Sequence, residues 1–213
     1  DKLDPISISK VYYDKEEMME LKKKDETYNW LRKKNRLYED QLNHLRKYKV
    51  TFQNQLSICF PGYLDLFKDG YSDIPMTILK KYPHPDLLKN KKAETVARYL
   101  EKNTCHTHKV SLEYALKIIE FAKKTYPGCE KDDVEVEIFK ILLDKVIETQ
   151  RECEKTLNEM ITVASTLEEY RYISSIDGIG PNLAARIIAE IGDIEEFKSR
   201  EALVAYAGLD PHI

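Results

Sequence analysis

Three groups of residues have types and spacings that could do chemistry. The first is Ile176-Asp177-Gly178-Ile179-Gly180-Pro181, a tight turn with Pro181 opening a helix of good formers. Gly178 and Gly180 permit backbone angles closed to other residues and carry no side chain to hold a ligand away. The amides of the turn and of the first helical turn, Ile179 among them, can then converge on a phosphate oxygen, helped by the helix dipole. Asn182 and Arg186 could add polar contacts to such a backbone, while Ile176 and Ile179 would anchor the hairpin in apolar core. Contacts of this kind position a duplex without reading its sequence. A bare Gly-x-Gly could equally join two packed helices with nothing bound. The apolar-Asp-Gly-Ile-Gly-Pro context, followed by small residues at helix spacing, favours backbone binding.

The second group is Asp1 and Asp4, whose spacing of three puts both carboxylates on one face of a helix, as a divalent-metal site requires. Two acids alone make no two-metal phosphoryl-transfer centre, which needs further carboxylates around the attacking and leaving oxygens. Without other information, Asp-x-x-Asp at a chain end reads as a solvated terminus. The third group, Cys105, His106 and His108, has zinc-like spacing but lacks the second Cys/His pair that a four-ligand site needs. His44 and His84 read as surface residues rather than catalysts. Trp30, with Tyr28 and Tyr38 nearby, could stack on bases, although Tyr38 falls where it would pack against a partner helix. There is no P-loop, no dinucleotide-binding glycine fingerprint and no Gly-x-Ser-x-Gly elbow.

These residues must be positioned by helices. The 213 residues are 33% charged with only 7 Gly and 8 Pro, so few residues punctuate strands and turns, and the mean hydropathy is -0.53. The fold class expected is mainly α. From about Tyr13 to Phe60 there is no Gly or Pro, and Leu31, Tyr38, Leu45, Phe52 and Cys59 recur every seven residues, with Leu42 and Leu56 interleaved. Asn35 and Lys49 fill the remaining places of this heptad seam, polar residues of the kind that set register at a cost in stability. Pro61-Gly62 should end the helix. A second run, about 131 to 170, places Phe139, Leu142, Val146, Thr149, Cys153, Thr156, Met160, Val163 and Leu167 at steps of three and four. Two seams in one chain predict an antiparallel coiled-coil stalk, with pairing between two chains through the same seams, or two helices of an ordinary bundle, as alternatives.

The organisation expected is therefore residues 1–12 before the stalk, a first stalk helix over 13–60, a helical insert over 61–128, a second stalk helix over 129–170 and a helix-hairpin-helix over 171–213. Within the insert, helices should begin near Pro75 and Pro85, then cover about 91–101 and 110–124, with proline tolerated in a first turn.

The net charge of -3 is unevenly spread. Between Lys22 and Lys49 ten basic residues stand against four acidic ones, and Lys33, Lys34 and Arg36 lie at the middle of that segment. From Glu130 to Tyr170 the balance reverses, so one surface could attract phosphate while another repels it or pairs with the basic segment. No apolar run approaches the roughly 20 residues a bilayer crossing needs, and the N-terminus lacks the order of a secretion signal. The expectation is a cytoplasmic protein without a membrane partner. Cys59, Cys105, Cys129 and Cys153 then read as reduced, mostly structural thiols. The chain opens on Asp1 rather than methionine and stops inside a motif at Ile213, which reads as a piece of something longer.

The C-terminal blocks have a recognisable order: Tyr172 to Gly180, then Ala189-Glu190-Ile191-Gly192-Asp193-Ile194, then Phe197, then Leu203-Val204-Ala205-Tyr206-Ala207-Gly208-Leu209-Asp210-Pro211. This resembles the C-terminal transposase domain of insertion-sequence transposases with an Asp-Glu-Asp-Asp resolvase-like domain, related to the Piv site-specific DNA invertases. Phe60-Pro61 and Lys81-Tyr82-Pro83 resemble further recurring features. Family members end a ribonuclease-H-like nuclease domain with an Asp-x-x-Asp pair just before the coiled coil, so the resemblance implies that Asp1 and Asp4 are the third and fourth acids of a four-carboxylate Mg²⁺ site. Where the family has Ala after the last acid, this chain has Pro5.

The resemblance further implies two acids upstream and a nucleophilic serine downstream, DNA as partner, a guide RNA for which the segment 22–49 is a candidate surface, and a homo-oligomer assembled through the coiled coil. The expectation is a DNA transposase of a bacterial insertion sequence, of which this chain supplies binding and assembly without cleavage. A structure-specific DNA repair nuclease subunit that uses the same hairpin, or a non-enzymatic coiled-coil adaptor, are the competing readings.

Overall fold

The computed structural model describes residues 26–208, and the backbone there is helical with no strand among the described residues. Among the described residues eight α-helices follow one another: α1 (Glu26–Cys59), α2 (Asp73–Lys81), α3 (Ala93–Asn103), α4 (His108–Lys124), α5 (Val134–Ala164), α6 (Glu168–Ser174), α7 (Pro181–Ile191) and α8 (Arg200–Tyr206). Short 3-10 turns at Leu64–Leu66, Pro85–Leu87 and Ile194–Glu196 fill the connections. The mainly helical expectation holds. Where a helix was expected to start at Pro85, the chain makes one 3-10 turn. No helix among the described residues is long and apolar enough to cross a membrane.

Two compact units divide the described residues: 26–37 with 156–208, and Tyr38–Lys155. The second unit holds the larger core. In it α1 presents the heptad face read from the sequence, with Leu45, Phe52, Leu56 and Cys59 buried and Tyr38 and Leu42 packed against the same core. Lys49 occupies a seam position without entering the core, because its ammonium lies 4.1 Å from the centre of the Tyr71 ring. There the aliphatic stem is covered and the charge meets the ring face. On α5 the buried residues of this unit are Val136, Phe139, Leu143, Val146, Thr149 and Cys153. Leu143 takes the buried place expected of Leu142, which is only half-buried. Phe52 stacks on Phe139 at 5.3 Å, and Gln55 Nε2 donates to the carbonyl of Glu135 at 3.0 Å, so within this unit α1 and α5 run antiparallel.

The insert is sewn to that pair by aromatic contacts and buried polar groups. Tyr63 is buried and its hydroxyl donates to the carbonyl of Pro75 at 2.9 Å. Burial alone raises the Tyr63 phenol well above its ordinary range, so it stays a neutral donor. His84, expected at the surface, is fully buried. Its Nδ1 accepts the amide of Asp86 at 3.2 Å, which leaves Nε2 to carry the proton and donate to the carbonyl of Cys129 at 3.0 Å. Both ring nitrogens are satisfied, and that is what makes burying an imidazole tolerable. Proline on either side misled the surface reading: Pro83 and Pro85 fix the backbone that turns the ring inward.

The first unit contains the start of α1, the end of α5 and the described residues after it. Leu31 is fully buried and Asn35 nearly so, with Met160 and Ala164 on α5. Ala164 is buried in place of the expected Val163, which is half-buried. Tyr28 donates to Glu169 at 2.7 Å and Lys34 to Glu159 at 2.6 Å, the antiparallel sense again. The run expected to continue to Tyr170 closes at Ala164. Ser165 Oγ and Thr166 Oγ1 bond the carbonyls of Thr162 and Val163, and such local side-chain bonds compete with helix continuation.

Candidate nucleic-acid interface

The hairpin is built from α6, the turn 175–180 and α7. Helix α6 closes with 3-10-type bonds, Ser175 N to Tyr172 O and Ile176 N to Ile173 O, and Ile179 N returns to Ile176 O at 3.0 Å. Gly178 takes φ +88, a left-handed conformation that favours glycine. Gly180 is different: at φ -79 and ψ 172 it is an extended N-cap that any residue could adopt. Pro181 starts α7 at its first position, where a missing N–H costs nothing. No side chain caps this helix end, so the first-turn amides of Asn182 and Leu183 remain available.

A Cβ added at Gly178 or Gly180 would meet nothing within 4 Å. The space beside both glycines is open. Ile176, expected as an anchor, is 55% exposed, because the i to i+3 bonds at the end of α6 turn it away from the packed side. Ile179 is half-buried. The anchoring is done by Ala184, Ala185, Ile188 and Ala189 of α7, all buried, whose small size permits close packing. Asn182 is exposed and Arg186 half-buried. Asp177 is exposed in the turn and is its only acid, a charge that opposes an incoming phosphate.

On α1, Lys33 and Arg36 are exposed and lie three apart, on neighbouring positions of one helix flank. Lys34 is engaged elsewhere: its ammonium pairs with Glu159 at 2.6 Å and lies 5.3 Å from the centre of the Trp30 ring. Arg32, one turn before Arg36, reaches the far end of α7, with Nη2 2.8 Å from where a Cβ would stand on Gly192. Helix α7 has 11 residues, so this contact lies roughly 16 Å along the axis from the glycine turn.

The remaining residues singled out from the sequence gather no centre. Asp1 and Asp4 lie outside the described residues. Cys105 and His106 are exposed, while His108 sits between Glu101 at 3.1 Å and Glu94 at 3.4 Å. Among the described residues no group of three or more His, Cys, Asp or Glu is placed to hold a metal ion. The Arg32–Gly192 contact went unread in the sequence. A glycine just past a periodic segment signals a helix C-terminus, but nothing local points to its long-range partner.

Neither the curated proteins nor the solved structures compared with the chain gave a match. Residues 170–213, which begin in α6 and take in the whole glycine turn and α7, match the IS116/IS110/IS902 transposase family, and this supports an insertion-sequence transposase acting on DNA.

Proposed function

We propose that the chain is the DNA-gripping and assembly part of an insertion-sequence transposase of the Asp-Glu-Asp-Asp class related to the Piv invertases. One observation carries this reading: the family match spans the glycine turn, where no side chain caps the helix N-terminus and the space beside both glycines is open. In this reading the amides of Gly178 and Gly180 and the start of α7 hold a phosphate of the DNA backbone, the Ile179 amide closes the turn on the Ile176 carbonyl, Asn182 and Arg186 add contacts, and helix-hairpin-helix describes the motif. Lys33 and Arg36 supply charge for DNA or for a guide RNA, with Lys34 committed to Glu159. The seams of α1 and α5 form an antiparallel coiled coil through which copies assemble, in a cytoplasmic protein. Asp1 and Asp4 belong to a Mg²⁺-binding set of four carboxylates.

The test is a fluorescence-anisotropy titration with duplex, four-way junction and RNA at two salt concentrations. Phosphate contacts predict steep weakening as salt rises. Gly180→Ala is the sharpest variant: its backbone tolerates alanine and the methyl meets no protein atom, so lost affinity reports on the bound backbone. Unchanged binding by Gly180→Ala and by Gly178→Ala/Gly180→Ala would remove the hairpin from the interface. A strong preference for the junction would favour a repair nuclease subunit, and absence of salt-dependent binding a coiled-coil adaptor.

A further inference from the structure

Two thiols unrelated to the hairpin meet where the insert begins and ends. Cys59 is the last residue of α1 and is fully buried, while Cys129 lies in the connection before α5 and is partly open to solvent. Their sulfurs are 3.9 Å apart. The backbones beside them are already joined, since Gly128 N donates to Ile58 O at 2.8 Å. A Cβ built on Gly128 would stand 3.9 Å from Ile58 Cα. The two segments of chain are thus held side by side, and side-chain rotation can bring the sulfurs from 3.9 Å toward bonding distance. His84 holds the Cys129 carbonyl from the other side, so the second cysteine is fixed to the insert as well as to α1.

We propose that Cys59 and Cys129 form a reversible disulfide that locks the helical insert shut at its base when the protein meets a hydroperoxide. The chemistry runs in two steps. The Cys129 sulfur, the more open of the two, attacks the peroxide oxygen, the O–O bond breaks, and Cys129 becomes a sulfenic acid with one water released from hydrogen peroxide. Cys59 then attacks the Cys129 sulfur, the S–O bond breaks and a second water leaves. Two thiols lose two electrons and two hydrogens, and the peroxide is reduced to two waters.

Burial, with the neighbouring Cys129 next in size, pushes the Cys59 thiol up to about 12, and burial raises Cys129 also. Both shifts lower the fraction of thiolate, the form that attacks a peroxide, so they slow the first step. The bond closes a loop that encloses the whole insert, and long loops gain most from closure.

The experiment is peptide mapping of the 213-residue chain, carrying Cys105→Ser to remove the exposed thiol, after a titration with hydrogen peroxide and alkylation of free thiols. The expected result is a crosslinked peptide joining the Cys59 and Cys129 segments, lost on treatment with dithiothreitol. It should be accompanied by a rise in melting temperature on the order of ten degrees. Cys129→Ser should abolish both. Cys129 recovered as a dimedone adduct or sulfinic acid with Cys59 alkylated as a free thiol would overturn the proposal, as would a crosslink confined to Cys153. Because the mapping is done on chains that retain both cysteines, its outcome does not depend on the folding of Cys129→Ser.

Discussion

Arg32 and Gly192 meet at the C-terminal end of α7, with the guanidinium Nη2 2.8 Å from the point a Cβ on Gly192 would occupy. Gly192 has φ +75 and ψ -146, and its amide closes the helix on the carbonyl of Ile188 at 2.9 Å. Its conformation belongs almost entirely to glycine, and the adjacent cation suits the negative end of a helix dipole. Gly192→Ala should therefore destabilise the first unit by about 1–3 kcal/mol. The backbone strain dominates, since the tip of an arginine can move. Arg32→Gln, which removes the cation and leaves the glycine, should cost about 1 kcal/mol or less. Thermal melts decide it, and a Gly192→Ala chain that melts with the parent would sink the idea.

The basic residues of α1 should separate by task. Lys34→Gln is expected to cost under about 1 kcal/mol of stability, as a partly exposed ion pair does, and to leave nucleic-acid affinity nearly unchanged. Lys33→Gln and Arg36→Gln should melt like the parent, weaken binding for every sequence tested and each lower the slope of log affinity against log salt by about one. Equal effects from all three on the salt slope would contradict the separation.

Asp177 gives a prediction of opposite sign. If the turn holds a phosphate, Asp177→Asn removes the turn's own like charge and should strengthen duplex binding roughly two- to threefold, the size of a solvent-screened charge interaction. The gain should shrink as salt rises. Weaker binding by the asparagine variant would mean that the carboxylate organises the turn rather than opposing the ligand.

Asn35 is buried on α1 with Oδ1 lacking a hydrogen-bond partner. Asn35→Leu should raise stability by about 1 kcal/mol by removing that unmet polar atom. Denaturant unfolding measures this, and a lowered midpoint would show that the amide makes a bond worth more than its burial costs.

What was legible in the sequence was whatever repeats. The α1 seam, Leu31 to Cys59, falls on the buried face because a period near 3.5 encodes one side of a helix whatever packs there. On α5 the same rule named Leu142 and Val163, one residue before the buried Leu143 and Ala164; a period of 3.6 drifts against a strict alternation of three and four. The glycine turn and its proline-led helix were readable from local chemistry. Ile176 was not, because its exposure depends on how tightly α6 closes. His84, Lys49 and the meeting of Arg32 with Gly192 depend on residues far away along the chain, and no periodicity carries that information. The match over 170–213 stands on the same blocks that carried the resemblance.

The bond from Gly128 N to Ile58 O has a mechanical consequence. The chain that leaves α1 after Cys59 is brought back beside Ile58 before it enters α5, so the two ends of the excursion are held together whatever its length. Residues could be added to or removed from its outer turns without changing which rung of α1 in the second unit faces which rung of α5. Freedom of length is confined by Phe52, Phe60 and Tyr63, whose rings share one core with the excursion and tie its foundation, though not its tip, to the helix pair.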